Sequence, residues 1–129
     1  MPNPGEFPAG STALFTGQAH SVKILVAEDP FVSSFLRTVL QRQGYEVECL
    51  EPEHAAALLQ EGRRAPGMVI TNKPQAFLEF AGTLPLLYTA ASPDLVLAEQ
   101  FSHFEVLHKP FRNDQLLMAV EELTHCVVP

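Results

Sequence analysis

Apolar positions along the chain change period several times, and each change marks an element. Val22 to Ala27 (VKILVA) is an apolar run closed by the acidic pair Glu28-Asp29, the pattern of a strand buried on both faces. Pro30 suits the first turn of a helix. Val32, Phe35, Leu36 and Val39 then recur at i, i+3, i+4 and i+7, which predicts one apolar helix face, and Gly44 predicts its end. The unit repeats. Tyr45 to Leu50 reads as a second strand, and Ala55, Leu58, Leu59 and Gly62 share a face of a second helix. Met68 to Thr71 is a third strand, followed by a short helix around Pro74 to Ala81. Leu84 to Thr89 is a fourth strand and Pro93 to Ser102 a fourth helix. Val106 to His108 is the fifth strand, and Asn113 is placed to cap a last helix whose inner face is Leu116, Ala119, Val120 and Leu123.

Five βα units in succession predict an α/β fold with a parallel sheet and helices on both faces, since each crossover is short and right-handed. The pattern starts only at Val22. Residues 1–21 are rich in Pro, Gly, Ser and Thr and read as a flexible leader, although Phe7, Leu14 and Phe15 offer apolar side chains. The domain is expected over residues 22–126.

Composition narrows the function classes. The chain has 129 residues, 47% apolar and 18% charged, enough for one domain with a real core. A net charge of −7 argues against a non-specific hold on nucleic acid or anionic membrane, since both need a basic face. Cys49 and Cys126 match no metal or redox spacing. His20, His54, His103, His108 and His125 are scattered and read as surface histidines. No signal peptide and no run of about 20 apolar residues is present, so a cytoplasmic location is expected.

In an open parallel sheet, chemistry gathers at the carboxyl ends of the strands. Those ends carry Glu28-Asp29, Asn72, Thr89-Ala90 and Lys109-Pro110. The segments KILVAEDPFVSSFLRTVLQRQGYEV, PGMVITNKP, PLLYTA and HKPFRNDQLLMAVEEL resemble, in order, the corresponding pieces of response-regulator receiver domains, the CheY-like family. The resemblance spans about residues 22–125. It implies a flavodoxin-like, doubly wound five-stranded sheet of order 2-1-3-4-5, here with a shortened third helix. It also implies roles for the strand-end residues. Glu28 and Asp29 match the pair that holds Mg²⁺, an ion that wants hard oxygen ligands. Thr89 matches the hydroxyl that bonds a phosphoryl oxygen, and Lys109 the cation that neutralises it. Pro110 matches a proline whose bond to the lysine is commonly cis in the family.

Asn72 stands where the family has its nucleophilic aspartate. An amide oxygen is neutral and a far poorer nucleophile than a carboxylate, and no Asp or Glu lies between Gly62 and Gln75 to replace it. Other departures accompany the loss. Only 16 residues separate Asn72 from Thr89, too few for a strand and a helix of the usual 11–12 residues or so. His103-Phe104 replaces the family's usual Gly-Ala, and Val106 stands where a switch aromatic is usual. With two carboxylates left, Lys109 is expected to bridge to Asp29 and hold the pocket in one state, with at most weak Mg²⁺ binding and no other cofactor.

The expected function is an atypical receiver domain of a two-component or phosphorelay protein. It would act by phosphorylation-independent protein–protein interaction and would not be an enzyme. By resemblance, the contact face is the fourth helix, fifth strand and fifth helix, with Leu95, Val96 and Met118 as exposed apolar candidates; the same face is a candidate for a homodimer. The alternative is a phosphorylation-competent receiver with a non-standard acceptor, Thr71 or Glu28. A flavodoxin-like cofactor binder is disfavoured, because Glu28, Asp29 and Pro30 occupy the loop that would have to present N–H groups to a phosphate. Asn72→Asp would separate loss of the nucleophile from loss of the pocket.

Overall fold

The structure is a computed structural model that describes residues 22–62 and 65–127, with side chains described as far as His125. The expected leader, residues 1–21, lies outside the described residues. The chain runs β1 (Lys23–Ala27), α1 (Pro30–Arg42), β2 (Glu46–Cys49), α2 (Pro52–Gln60), β3 (Met68–Thr71), a 3-10 segment (Pro74–Phe80), β4 (Leu86–Ala90), α3 (Leu95–Ala98), β5 (Phe104–His108) and α4 (Asn113–Val127). All strand pairs are parallel and the sheet order is β2-β1-β3-β4-β5. This is the flavodoxin-like order expected from the resemblance.

Side chains on a strand alternate between faces, and here the alternation sorts the core into two layers. Ile24, Val26, Met68, Ile70, Leu87 and Leu107 point to one side. There they meet Leu36, Val39 and Leu40 of α1 and Leu116, Val120 and Leu123 of α4. Leu25, Ala27, Val69, Leu86 and Tyr88 point to the other, against Ala55 of α2, Phe77, Ala98 and Phe101. Helices thus cover both faces, and the expected inner face of the last helix is the buried one.

Several local expectations are corrected. Phe35, expected on the inner face of α1, is 41% exposed, its ring tilted against Phe111 with centroids 6.3 Å apart. The stripe that is buried runs Ser33, Leu36, Val39, Leu40. Gly62 lies beyond α2 at φ +75°, a left-handed position that stops the helix; Gly44, at φ 93°, does the same after α1. Asn113 is the first helical residue of α4 and not its cap; Gln115 Oε1 accepts from the Arg112 N–H at 2.8 Å, the return half of a capping box.

The third and fourth crossovers differ most from expectation. The third is a 3-10 segment and not a short α-helix. A 3-10 helix rises about 2.0 Å per residue against about 1.5 Å in an α-helix, so it carries the short chain between β3 and β4 farther. Phe77, fully buried, anchors it. The fourth helix is one turn, Leu95–Ala98, and not Pro93–Ser102. Asp94 caps it by accepting from the Leu97 N–H at 3.3 Å. The chain then turns so that Phe101 enters the core, 2% exposed, and the Ser102 N–H reaches the Ala81 carbonyl at 2.9 Å. The Phe101 ring and that bond end the helix early.

Because Phe77 is the one fully buried large side chain of the 3-10 segment, Phe77→Ala should lower unfolding free energy by about 3–5 kcal/mol. Leu78→Ala next to it, at a 42% exposed position, should change it by about 0.5 kcal/mol or less. Urea denaturation of both variants checks the contrast.

Candidate functional site

The same alternation that sorts the core assembles the site. Ala27 is in register with Thr71, and Thr71 with Tyr88. One step further along each strand lie Glu28, Asn72 and Thr89, which continue the rows of Val26, Ile70 and Leu87 on the α1/α4 face. Lys109 follows Leu107 by two residues on that face. The Lys109 N–H bonds the Ala90 carbonyl at 2.9 Å, and the Lys109–Pro110 bond is cis.

These residues converge on Glu28. Its side chain has no exposed surface. Oε1 accepts from Lys109 Nζ at 3.1 Å and from the Asp29 N–H at 3.3 Å, and Oε2 accepts from the Thr89 hydroxyl. The expected bridge from Lys109 to Asp29 is therefore corrected: Lys109 pairs with Glu28. Glu28 lies on the inward row and has the longer arm. Asp29 faces outward, and its Oδ1 caps α1, accepting from the Phe31 and Val32 N–H groups at 3.1 Å each. That position also places a negative charge at the positive end of the helix.

The two carboxylates consequently do not share one oxygen cradle. Mg²⁺ needs several free hard oxygens in near-octahedral array. Glu28 already accepts three hydrogen bonds, and one oxygen of Asp29 belongs to the helix cap. As arranged, these residues do not fit the ion. Beside them an open cleft of about 280 Å³ is lined by Asp29, Glu51, Glu53, Asn72 and Lys73 among others. Asn72 is half-buried there.

Neither alternative acceptor is presented to solvent. Thr71 is fully buried; its hydroxyl donates to the Ala27 carbonyl at 2.7 Å and accepts from the Lys73 N–H at 3.0 Å. It ties the ends of β1 and β3 and shapes the turn that carries Asn72. Glu28 is engaged as described.

Three contributions escaped sequence reasoning. Ser33, buried, donates its hydroxyl to the Glu28 carbonyl at 3.1 Å, holding the start of α1 against the site. A polar residue three before Leu36, on the apolar stripe, was its signal. Cys49 approaches the Ser33 carbonyl at 3.7 Å, and burial pushes its thiol pKa up. Tyr88, on the opposite face, lies beside Val106 in the β4–β5 register, and its hydroxyl accepts from the Asp94 N–H at 3.1 Å. An aromatic in an otherwise aliphatic strand was the signal there.

The expected contact residues Leu95, Val96 and Met118 are exposed by 55%, 70% and 64%. Among the described residues no helix is long and apolar enough to cross a membrane.

Comparison with known proteins finds no matching family model and no matching curated sequence. Solved structures do match. A response regulator receiver protein from Sinorhizobium medicae aligns at TM-score 0.67 and 22% identity, covering 83% of this chain and 97% of that one. The chemotaxis response regulator CheY4 of Vibrio cholerae aligns at TM-score 0.67 and 18% identity, covering 80% and 98%. The N-terminal domain of a response regulator/sensory box/GGDEF 3-domain protein from Carboxydothermus hydrogenoformans aligns at 0.66 and 20%, covering 81% and 94%. The likeness establishes the receiver fold.

The Lys109 side chain is 25% exposed while that of Glu28 has no exposed surface, so removing Lys109 strands a buried charge. Lys109→Met should therefore cost about 3–5 kcal/mol, and Glu28→Met combined with Lys109→Met should return most of that loss. Urea denaturation of the single and double variants measures both effects.

Proposed function

We propose that the chain is an atypical receiver module that works by binding other proteins without being phosphorylated. One observation carries the reading: in the row where a receiver would hold its acceptor there is an asparagine, and the neighbouring cation and hydroxyl are engaged by Glu28. Nucleophilic attack on phosphorus needs a charged oxygen, or a hydroxyl with an adjacent base. Asn72 supplies neither. The alternative, phosphorylation at Thr71 or Glu28, would have to break the hydrogen bonds that keep those groups inside the fold.

Under this reading the module needs no bound Mg²⁺ and does its work in the cytoplasm. The similar solved structures carry response-regulator names, one of them from chemotaxis, which supports a place in two-component or related signalling. The partner surface is α3, β5 and α4, where exposed Leu95, Val96 and Met118 offer apolar contact to a protein or to a second copy of the chain. The acidic balance of the chain, net −7, disfavours nucleic acid.

Incubation with acetyl phosphate and Mg²⁺, followed by intact-mass analysis, should leave the unaltered chain unmodified. A species carrying one phosphoryl group would overturn the reading. In a Mg²⁺ titration followed by NMR, the Asp29 and Asn72 amides should move little and without saturation. Tight, saturable shifts at Asp29 would contradict a metal-free module.

A further inference from the structure

We propose that Phe15, in the segment before β1, docks in an apolar cleft at the amino-terminal edge of the sheet and straps the short third crossover from outside. The contact does not depend on how the strand-end site works.

The cleft opens where the short crossover ends. Phe80, the last residue of the 3-10 segment, and Leu59, near the end of α2, both remain half-buried. Between them lies a cleft of about 260 Å³ lined by Leu59, Ala65, Pro66, Phe80, Thr83 and Leu84. None of these side chains is charged. An apolar cavity of about 150 Å³ already admits benzene, so the space takes an aromatic side chain, and covering half-exposed apolar walls is favourable.

Connectivity selects the occupant. All strand pairs are parallel, so every strand starts along the same edge of the sheet. The chain preceding β1 joins the fold at that edge. The cleft lies there too, since Pro66 leads into β3 and Leu84 into β4. At the junction the two meet directly: the Gly67 N–H bonds the Lys23 carbonyl at 2.8 Å, and a side chain at Gly67 would collide with Val22 Cγ1. Neighbouring strands are about 4.8 Å apart, so β3 and β4 start within roughly 10 Å of the junction. Phe15 stands seven residues before Val22, a tether that spans up to about 25 Å. It reaches with slack. Phe7 stands fifteen residues before Val22; effective concentration falls roughly as the −3/2 power of tether length, which favours Phe15 about threefold. Docking there leaves the strand-end site open, because Glu28 and Asn72 lie at the opposite edge.

Chymotrypsin digestion of full-length chains, read by intact mass, tests the docking, because cleavage after Phe15 samples only the undocked fraction. Four chains are compared. Ala65→Glu and Thr83→Glu each put a carboxylate at an exposed position of the cleft. Gln75→Glu adds the same charge at an exposed position of the 3-10 segment outside that cleft, and the fourth chain is unaltered. Cleavage after Phe15 should be at least about tenfold faster in the two cleft variants than in Gln75→Glu and the unaltered chain, as for a contact occupied about nine-tenths of the time. Equal rates in all four chains, or a rise in Gln75→Glu as large as in the cleft variants, would overturn the proposal. Protection that fades on dilution would overturn it too, and would assign the cleft to a second copy of the chain. A second measurement needs no variant. In NMR of the unaltered chain, the Phe15 ring should show nuclear Overhauser contacts to the Leu59 and Leu84 methyls; no contact between them refutes the docking.

Discussion

A carboxylate with no exposed surface must be neutralised and hydrogen-bonded from within the fold, because burying an unpaired charge costs several kcal/mol or more. Glu28 meets that demand with groups from three places: Lys109 after β5, Thr89 on β4 and the Asp29 amide at the start of α1. The contact therefore ties together the first, fourth and fifth strand ends. Ser33 fixes α1 to the same residue through its carbonyl, and Asp29 is left to cap the helix. Each of these positions follows once the Glu28 side chain turns inward.

The opposite face of the sheet is organised by shape more than by charge. Val106 is small, and Tyr88 lies next to it in register, so an aromatic ring fills that layer from β4. Its hydroxyl holds the Asp94 N–H, while Thr89, the next residue, bonds Glu28 on the other face. Adjacent residues thus hold the β4–α3 region from both sides of the sheet. The short third crossover fits the same economy of chain: a 3-10 segment spans more distance per residue, and Phe77 gives it one deep anchor.

Much of this was legible in the sequence. Apolar runs and helical spacing located all five strands, and the strand-end residues Glu28, Asn72, Thr89 and Lys109 were marked as one site. The gathering of chemistry at the carboxyl ends of parallel strands explains that success, together with the resemblance to receiver domains. What was not legible depends on reach and competition. Two adjacent carboxylates look equivalent to Lys109 in sequence; the helix cap claims one and the inward row the other. Phe35 fits the helical spacing, yet the buried stripe runs through Ser33, whose hydroxyl donates to the Glu28 carbonyl, and leaves Phe35 at the edge. Phe101 fits a continuing helix in sequence, but its ring turns into the core and the fourth helix stops at Ala98.

The arrangement of the strand ends turns on the pairing of Lys109 with Glu28. A crystal structure of the unaltered chain grown at neutral pH in the presence of Mg²⁺ tests it most directly. The expected result is a Glu28 carboxylate within hydrogen-bonding distance of both Lys109 Nζ and the Thr89 hydroxyl, with Asp29 on the α1 amides. Lys109 turned to Asn72 or to solvent, with Mg²⁺ bound between Glu28 and Asp29, would contradict it.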